Sequence, residues 1–219
     1  MSLKNLQEIS SLVTNNLKLP PFSGVDEGSK YLRLLAGIAE NRWEDESEAR
    51  EELYGKSLDS RSFDMLKSRA KEHLVNMIFQ LDTDKRFKSS LDKAYYRACK
   101  NLMAGLLVRL QNKLETGTEL LKLSLKTSVK YEFTDLKVIA LRKLRYISSV
   151  TGDFNSSRNY SDQLNNSLFV LNAETRCEEL EQDLILDMIA TGNLNKDFKK
   201  KVSAYFIECK SWMSKHDSY

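Results

Sequence analysis

Proline is almost absent from this sequence: two occur in 219 residues, adjacent, as Pro20 and Pro21. Glycine is scarce as well, at eight. Proline removes a backbone donor and glycine costs backbone entropy, so few positions resist a helix. An all-β chain of this length would need many more turn residues, and no pair of segments alternates apolar and polar residues as a sheet requires. No apolar run reaches the roughly 18 residues of a transmembrane helix. No secretory signal is expected near Met1. The three cysteines, Cys99, Cys177 and Cys209, are far apart and outside any C-x-x-C spacing. They imply free or buried thiols in a reducing compartment, cytoplasmic by default, rather than a disulfide framework or a zinc site.

The usual carriers of chemistry are missing too. Histidine, the commonest general base and metal ligand, occurs twice, as His73 and His216. Neither has a second histidine one helical turn away, which excludes an H-E-x-x-H zinc site. Glu174, Glu178, Glu181 and Asp183 fall at helical spacings. A di-iron bundle needs Glu-x-x-His on two helices, and none is present, so these acids read as a solvated face. The phosphate-binding glycine patterns and the G-x-S-x-G nucleophile elbow do not occur. Cys99 fits a close-packed helix face better than a nucleophile. The expectation is a protein that is not an enzyme and holds no metal or cofactor.

What is present is helix-forming. Hydrophobic residues make up 41% and charged residues 30% of the chain, which suits a single all-α domain over 1–219. The alternative division separates N-terminal helices at 1–55 from stacked helix pairs at 56–219. Net charge is only +3 but is laid out in blocks. Residues 1–55 hold six basic and ten acidic side chains; residues 56–150 hold twenty and ten. Residues 151–191 hold two and eight, and the remainder six and three. A basic middle flanked by acidic segments leaves room for a local basic face or for internal charge pairing.

Apolar residues recur every three or four positions through most of the chain. The cleanest stripe is Phe63, Leu66, Ala70, Leu74, Met77 and Leu81, with Ser60 or Ser62 as its cap. Gly55 suits the position just past the preceding short helix. One long helix is read over about 86–111, with Leu91, Ala94, Tyr95, Ala98, Leu102, Leu106 and Leu110 inward. The next opens at Thr116 or Thr118 and buries Leu120, Leu121, Leu125, Ser128 and Val129. Another, capped by Thr134 or Asp135, buries Leu136, Ile139, Ala140, Leu144 and Ile147 and stops at Gly152. From Asn155 or Ser156 to Gly192 the chain is either one helix of roughly 35 residues, about 50 Å long, or two that break near Asn172. A last helix over about 197–214 buries Val202, Tyr205, Phe206 and Trp212. Short loops make neighbouring helices antiparallel.

Leu141 through Leu164, LRKLRYISSVTGDFNSSRNYSDQL, resembles a tetratricopeptide-like repeat. Gly152, Asp153 and Phe154 match the turn joining that family's paired helices, and Leu144 matches the packing position eight residues earlier. Arg145 stands where a small residue is usual. Thr118 to Asp135 looks like the second helix of a preceding pair. The resemblance covers about half the chain. It implies antiparallel helix pairs stacked as a solenoid, the other arrangement being an irregular helical bundle.

It also implies a protein or peptide partner held on a concave face lined by the first helix of each pair. Those helices are about 86–111 and 135–151. Their remaining positions carry Lys93, Arg97, Lys100 and Asn101 on the first, and Lys137, Arg142, Lys143 and Arg145 on the second. These cations suit an acidic or carboxylate-bearing peptide. The alternative function is nucleic-acid binding by the basic 61–100 region. Arg61, Lys67, Arg69, Lys71, Lys85, Arg86 and Lys88 lie there near Tyr95 and Tyr96, interleaved with Asp64, Glu72, Asp82 and Asp84.

Overall fold

Local chemistry sets where the helices begin and end. Ser29 accepts from the Tyr31 amide and opens α2 (Lys30–Ala39). Asp45 accepts from the amides of Ser47 and Glu48 and opens α3 (Glu46–Tyr54), which closes at Gly55 with φ +67°. The computed structural model describes residues 2–14, 29–55, 60–81, 87–192 and 196–216. Among them all regular structure is α-helical, with no strand. The other helices are α1 (Leu3–Thr14), α4 (Ser60–Ile78), α5 (Ser90–Leu110), α6 (Leu114–Lys130), α7 (Thr134–Val150), α8 (Phe154–Thr191) and α9 (Lys196–His216). None of these is long and apolar enough to cross a membrane. The turns expected at Pro20–Pro21 and at Asp82-Thr83-Asp84 lie outside the described residues.

The chain forms two compact units, 1–93 and 94–219. In the first, α1 to α4 close on a core of Leu3, Leu6, Leu34, Leu35, Ile38, Trp43, Ala49, Leu53, Phe63, Ala70 and Leu74. Trp43 follows α2 and folds its indole back over Gly37. A Cβ at Gly37 would lie only 2.0 Å from the ring, so glycine is required for that approach. The Trp43 Nε1–H donates to Glu52 Oε2 at 2.7 Å, and its carbonyl accepts from Gln7 Nε2 at 2.8 Å.

The second unit has a period. Asn112, Glu132 and Gly152, each twenty residues after the last, are all left-handed, with φ of 59°, 58° and 78°. After each, an amide reaches back five residues: Lys113 to the Val108 carbonyl, Phe133 to Ser128 and Asp153 to Ser148. This is the hydrogen-bonded helix end that consumes orphan carbonyls. Helices α6, α7 and α8 accordingly start at 114, 134 and 154. The next turn in that rhythm would fall at Asn172, but the helix runs through it, and α8 is one helix of 38 residues ending at the left-handed Gly192. Asp153, not Asn155 or Ser156, caps it by accepting from the Ser156 amide.

All the residues expected deepest in the core are at least half-buried. Phe63, Leu74, Met77, Leu102, Leu121, Leu144 and Ile147 are fully buried, and Leu66, Leu106 and Leu125 are partly so. The expectation fails at Leu91, Tyr95, Leu110, Val129, Ile139, Val202 and Phe206, all of which are exposed. In α9 the reason is that α8 is its principal neighbour, so Tyr205 and Trp212 on the facing side are half-buried while Phe206 beside them is not.

Hydrogen bonds from serine hold the Asp45 and Asp153 carboxyls below the usual carboxylate range. A depressed folded-state value means the stabilisation is present above the unfolded value and is lost as pH falls through the folded one. The denaturation midpoint should therefore drop on acidification below about pH 4. Asp45→Asn with Asp153→Asn should flatten that drop, read from midpoints across an acid series.

Candidate functional site

Helices α5 and α7 lie side by side and point the same way. At their starts, Tyr95 meets Phe133 edge-on, with ring centroids 5.0 Å apart, and donates to Asp135 Oδ2 at 3.1 Å. At their ends, the Arg109 guanidinium sits over the Tyr146 ring at 5.4 Å. Two contacts separated along both helices, in the same order, fix a parallel pair.

Helix α6 underlies α5. Gly105 and Gly117 meet there so closely that a Cβ on either would come within 3.1 Å of the other's carbonyl oxygen. Ser124, fully buried, donates to the Ala98 carbonyl at 2.9 Å. Leu121 and Leu125 of α6 join Ala98, Leu102, Leu106, Leu136, Ala140, Leu144 and Ile147 in one core. That core occupies the side of the α5–α7 pair that faces α6.

The other side of the pair carries apolar side chains that are exposed among the described residues. A helix returns to the same face every three or four residues. One turn beyond Cys99 and Leu106, which touch the shared core, stand Met103 and Leu110, with Leu107 between them. These are 46%, 68% and 58% exposed. On α7 the matching stripe is Ile139, Tyr146 and Val150, of which Tyr146 is 54% exposed. Single exposed apolar residues are ordinary, whereas a contiguous row on two adjacent helices is not.

Helical position divides the cations expected to line the groove. Lys100 is exposed, lies over the Tyr96 ring at 5.5 Å and shares a stripe with Leu107, two turns on. Arg142, also exposed, stands one turn from both Ile139 and Tyr146. These two border the apolar face on its opposite edges. Arg97 and Asn101 fall on the flank of α5 turned away from α7. Lys93, half-buried, is the last residue of the first unit. Lys137 shares its stripe with the buried Leu141 and Leu144. Arg145 is exposed one turn before Ser149, whose hydroxyl meets Ser157 of α8 at 2.8 Å, so it borders α8. The seven residues therefore do not converge. Among the described residues no carboxylate pairs with Lys100, Arg142 or Arg145. Four acids of α8 are engaged elsewhere: Glu174 with Thr134, Glu179 with Arg176, and Asp183 and Asp187 with Lys201.

Of the apolar residues on this face, the sequence reading places Leu110 and Ile139 in the core and gives Met103, Leu107, Tyr146 and Val150 no role. A signal exists. Helix α5 carries Leu106-Leu107-Val108 and Leu110, more apolar positions than one buried stripe can use.

The chain matches no known family model, curated protein or solved structure.

Burial first, and then the Asp135 charge, push the Cys99 thiol up. His73 is half-buried and meets the Tyr31 ring edge-on. Among the described residues no group of three His, Cys, Asp or Glu could hold a metal ion. In the basic 61–100 region Lys67 is spent on Glu46 at 2.7 Å and Asp64 at 3.6 Å. Arg61, Arg69, Lys71 and Lys88 are exposed, and Lys85 and Arg86 lie outside the described residues.

Proposed function

We propose that this protein is a helical-repeat scaffold that binds another protein through an acidic, amphipathic segment laid along the α5–α7 face. The observation that carries the reading is the exposed double row of Met103, Leu107 and Leu110 beside Ile139, Tyr146 and Val150. A groove between parallel helices suits an amphipathic helix presenting apolar anchors at three- and four-residue spacing. Lys100 and Arg142 at the edges favour carboxylates on the partner, steering encounter and fixing register more than adding affinity. The turn rhythm supports stacked helix pairs: two steps of twenty residues make a unit of forty. Tetratricopeptide repeats advance by about 34 residues, so the proposed array is tetratricopeptide-like in its pairing and longer in its pitch.

Selection from a displayed peptide library is the direct test, since it reads out partner chemistry. The expected enrichment is for acidic peptides with apolar residues at helical spacing. Leu107→Glu should weaken the selected peptides at least tenfold, about 1.4 kcal/mol, while the thermal midpoint stays put because the side chain is already exposed. Arg142→Glu should act mainly through the association rate. Binding insensitive to Leu107→Glu would sink the reading. Submicromolar nucleic-acid binding at roughly 150 mM salt, lost on Arg61→Glu with Arg69→Glu, would instead favour the basic region, since non-specific contacts there are weaker than micromolar.

A further inference from the structure

Cys177 and Cys209 lie on different helices and share no sequence motif, yet the fold sets them opposite one another. Helices α8 and α9 run antiparallel, and their register is fixed at four levels. Lys201 Nζ bonds Asp187 at 2.6 Å, and the Tyr205 hydroxyl donates to Asp183 at 2.9 Å. Arg176 Nε donates to Glu208 at 2.8 Å, and Phe169 stacks at a tilt on Trp212 with centroids 6.0 Å apart. Cys177 and Cys209 are the immediate chain neighbours of Arg176 and Glu208, Cys177 on the side of the Asp183 contact and Cys209 on the side of Trp212. The neighbouring Cys209 thiol, followed by burial, pushes the Cys177 thiol up to about 11. Both residues are free thiols and half-buried, so a small reagent can approach them.

We propose that Cys177 and Cys209 form a reversible dithiol–disulfide pair, closed by exchange with a low-molecular-weight disulfide, that staples α9 to α8. The chemistry needs no further reactant. A thiolate from one cysteine attacks a sulfur of the small disulfide, whose S–S bond breaks and releases one small thiolate, which takes up a proton. The second cysteine, deprotonated, attacks the protein sulfur of this mixed disulfide and expels the second small thiol. Two protein thiols are oxidised and one small disulfide is reduced to two thiols. Side-chain contacts that already bracket both sulfurs mean that closure requires little movement of either helix, as a disulfide's narrow geometry demands. Cys99, in α5 and packed against the α6–α7 core, is the internal control.

The test uses the full chain equilibrated in glutathione buffers from fully reduced to fully oxidised, then alkylated and weighed intact. The reduced protein should take up three alkyl groups. The oxidised protein should take up one, at Cys99, and should have lost the mass of two hydrogens. Cys99→Ser should lose its remaining alkylation and keep the mass loss. Cys177→Ser and Cys209→Ala should each abolish the mass loss and leave a glutathione adduct on the surviving partner. Oxidation should raise the thermal midpoint of the native chain and leave both variants unmoved. Three alkylatable thiols in fully oxidised buffer, two stable glutathione adducts on the native chain, or a bond that joins two chains or uses Cys99 would each overturn the proposal. The native chain and Cys99→Ser carry the test even if the other variants fold poorly.

Discussion

Trp43→Ala should cost about 3–5 kcal/mol of stability, the range for removing a large buried aromatic. Trp43 is 4% exposed and belongs to the core of the first unit. Its loss empties the space above Gly37 and removes the N–H that the Glu52 carboxylate accepts. The carboxylate itself stays solvated and keeps Arg42 at 3.0 Å, so the cavity should dominate over the lost hydrogen bond. The same geometry predicts a sign reversal. In the native background Gly37→Ala should destabilise, because a methyl cannot fit 2.0 Å from the indole and overpacking typically costs about 1–3 kcal/mol. In the Trp43→Ala background it should stabilise by about 0.5–1 kcal/mol, the usual advantage of alanine over glycine inside a helix. Urea denaturation of the four proteins, followed by far-ultraviolet circular dichroism, closes the cycle. Gly37→Ala stabilising the native protein would mean that the ring does not sit over the helix.

Leu144→Ala should cost about 2–5 kcal/mol. Its side chain is 1% exposed in the middle of α7 and holds that helix to α5 and α6. Ile139→Ala on the same helix removes a similar side chain from the opposite, open face. It should cost less than the Leu144 value, because 37% of Ile139 stays in water and truncation there opens no closed cavity. The pair therefore tests which face of α7 is inside. Equal losses would place Ile139 in the core after all and remove the floor from the proposed binding face. A small Leu144 effect would undo the α5–α6–α7 packing itself.

Much of the helical outline could be read from local sequence. Phe63 to Leu81 and Leu136 to Ile147 repeat at three and four, and the only solution that buries such stripes is helix on helix. Turn chemistry was legible where glycine marked it, at Gly55, Gly152 and Gly192. It was not legible at Asn112 or Glu132, which take the same left-handed conformation. Nothing about an isolated glutamate announces a helix end; tertiary packing of α6 against α7 holds it there. The turn not taken at Asn172 was open for the same reason. Asparagine is compatible with both outcomes, and contacts of α7 and α9 along α8 decide for one continuous helix.

The candidate site divides the same way. Composition and periodicity determined by themselves that the chain is helical, that it lacks the motifs of metal, nucleotide and nucleophile chemistry, and that cations crowd the middle. They could not say which apolar stripe faces inward, because α5 and α7 each carry more apolar residues than one neighbour can cover. Only the parallel placement of these helices over α6, fixed by Tyr95 with Asp135 and Arg109 with Tyr146, left Leu107 and Tyr146 outside. The same placement separated Lys100 and Arg142 at the edges from Arg97, Asn101, Lys137 and Arg145. It was likewise the antiparallel return of α9 along α8 that brought Cys177 to Cys209. Helical periodicity is a property of the local chain, whereas the choice of face and partner depends on contacts distant in sequence, which no local pattern encodes.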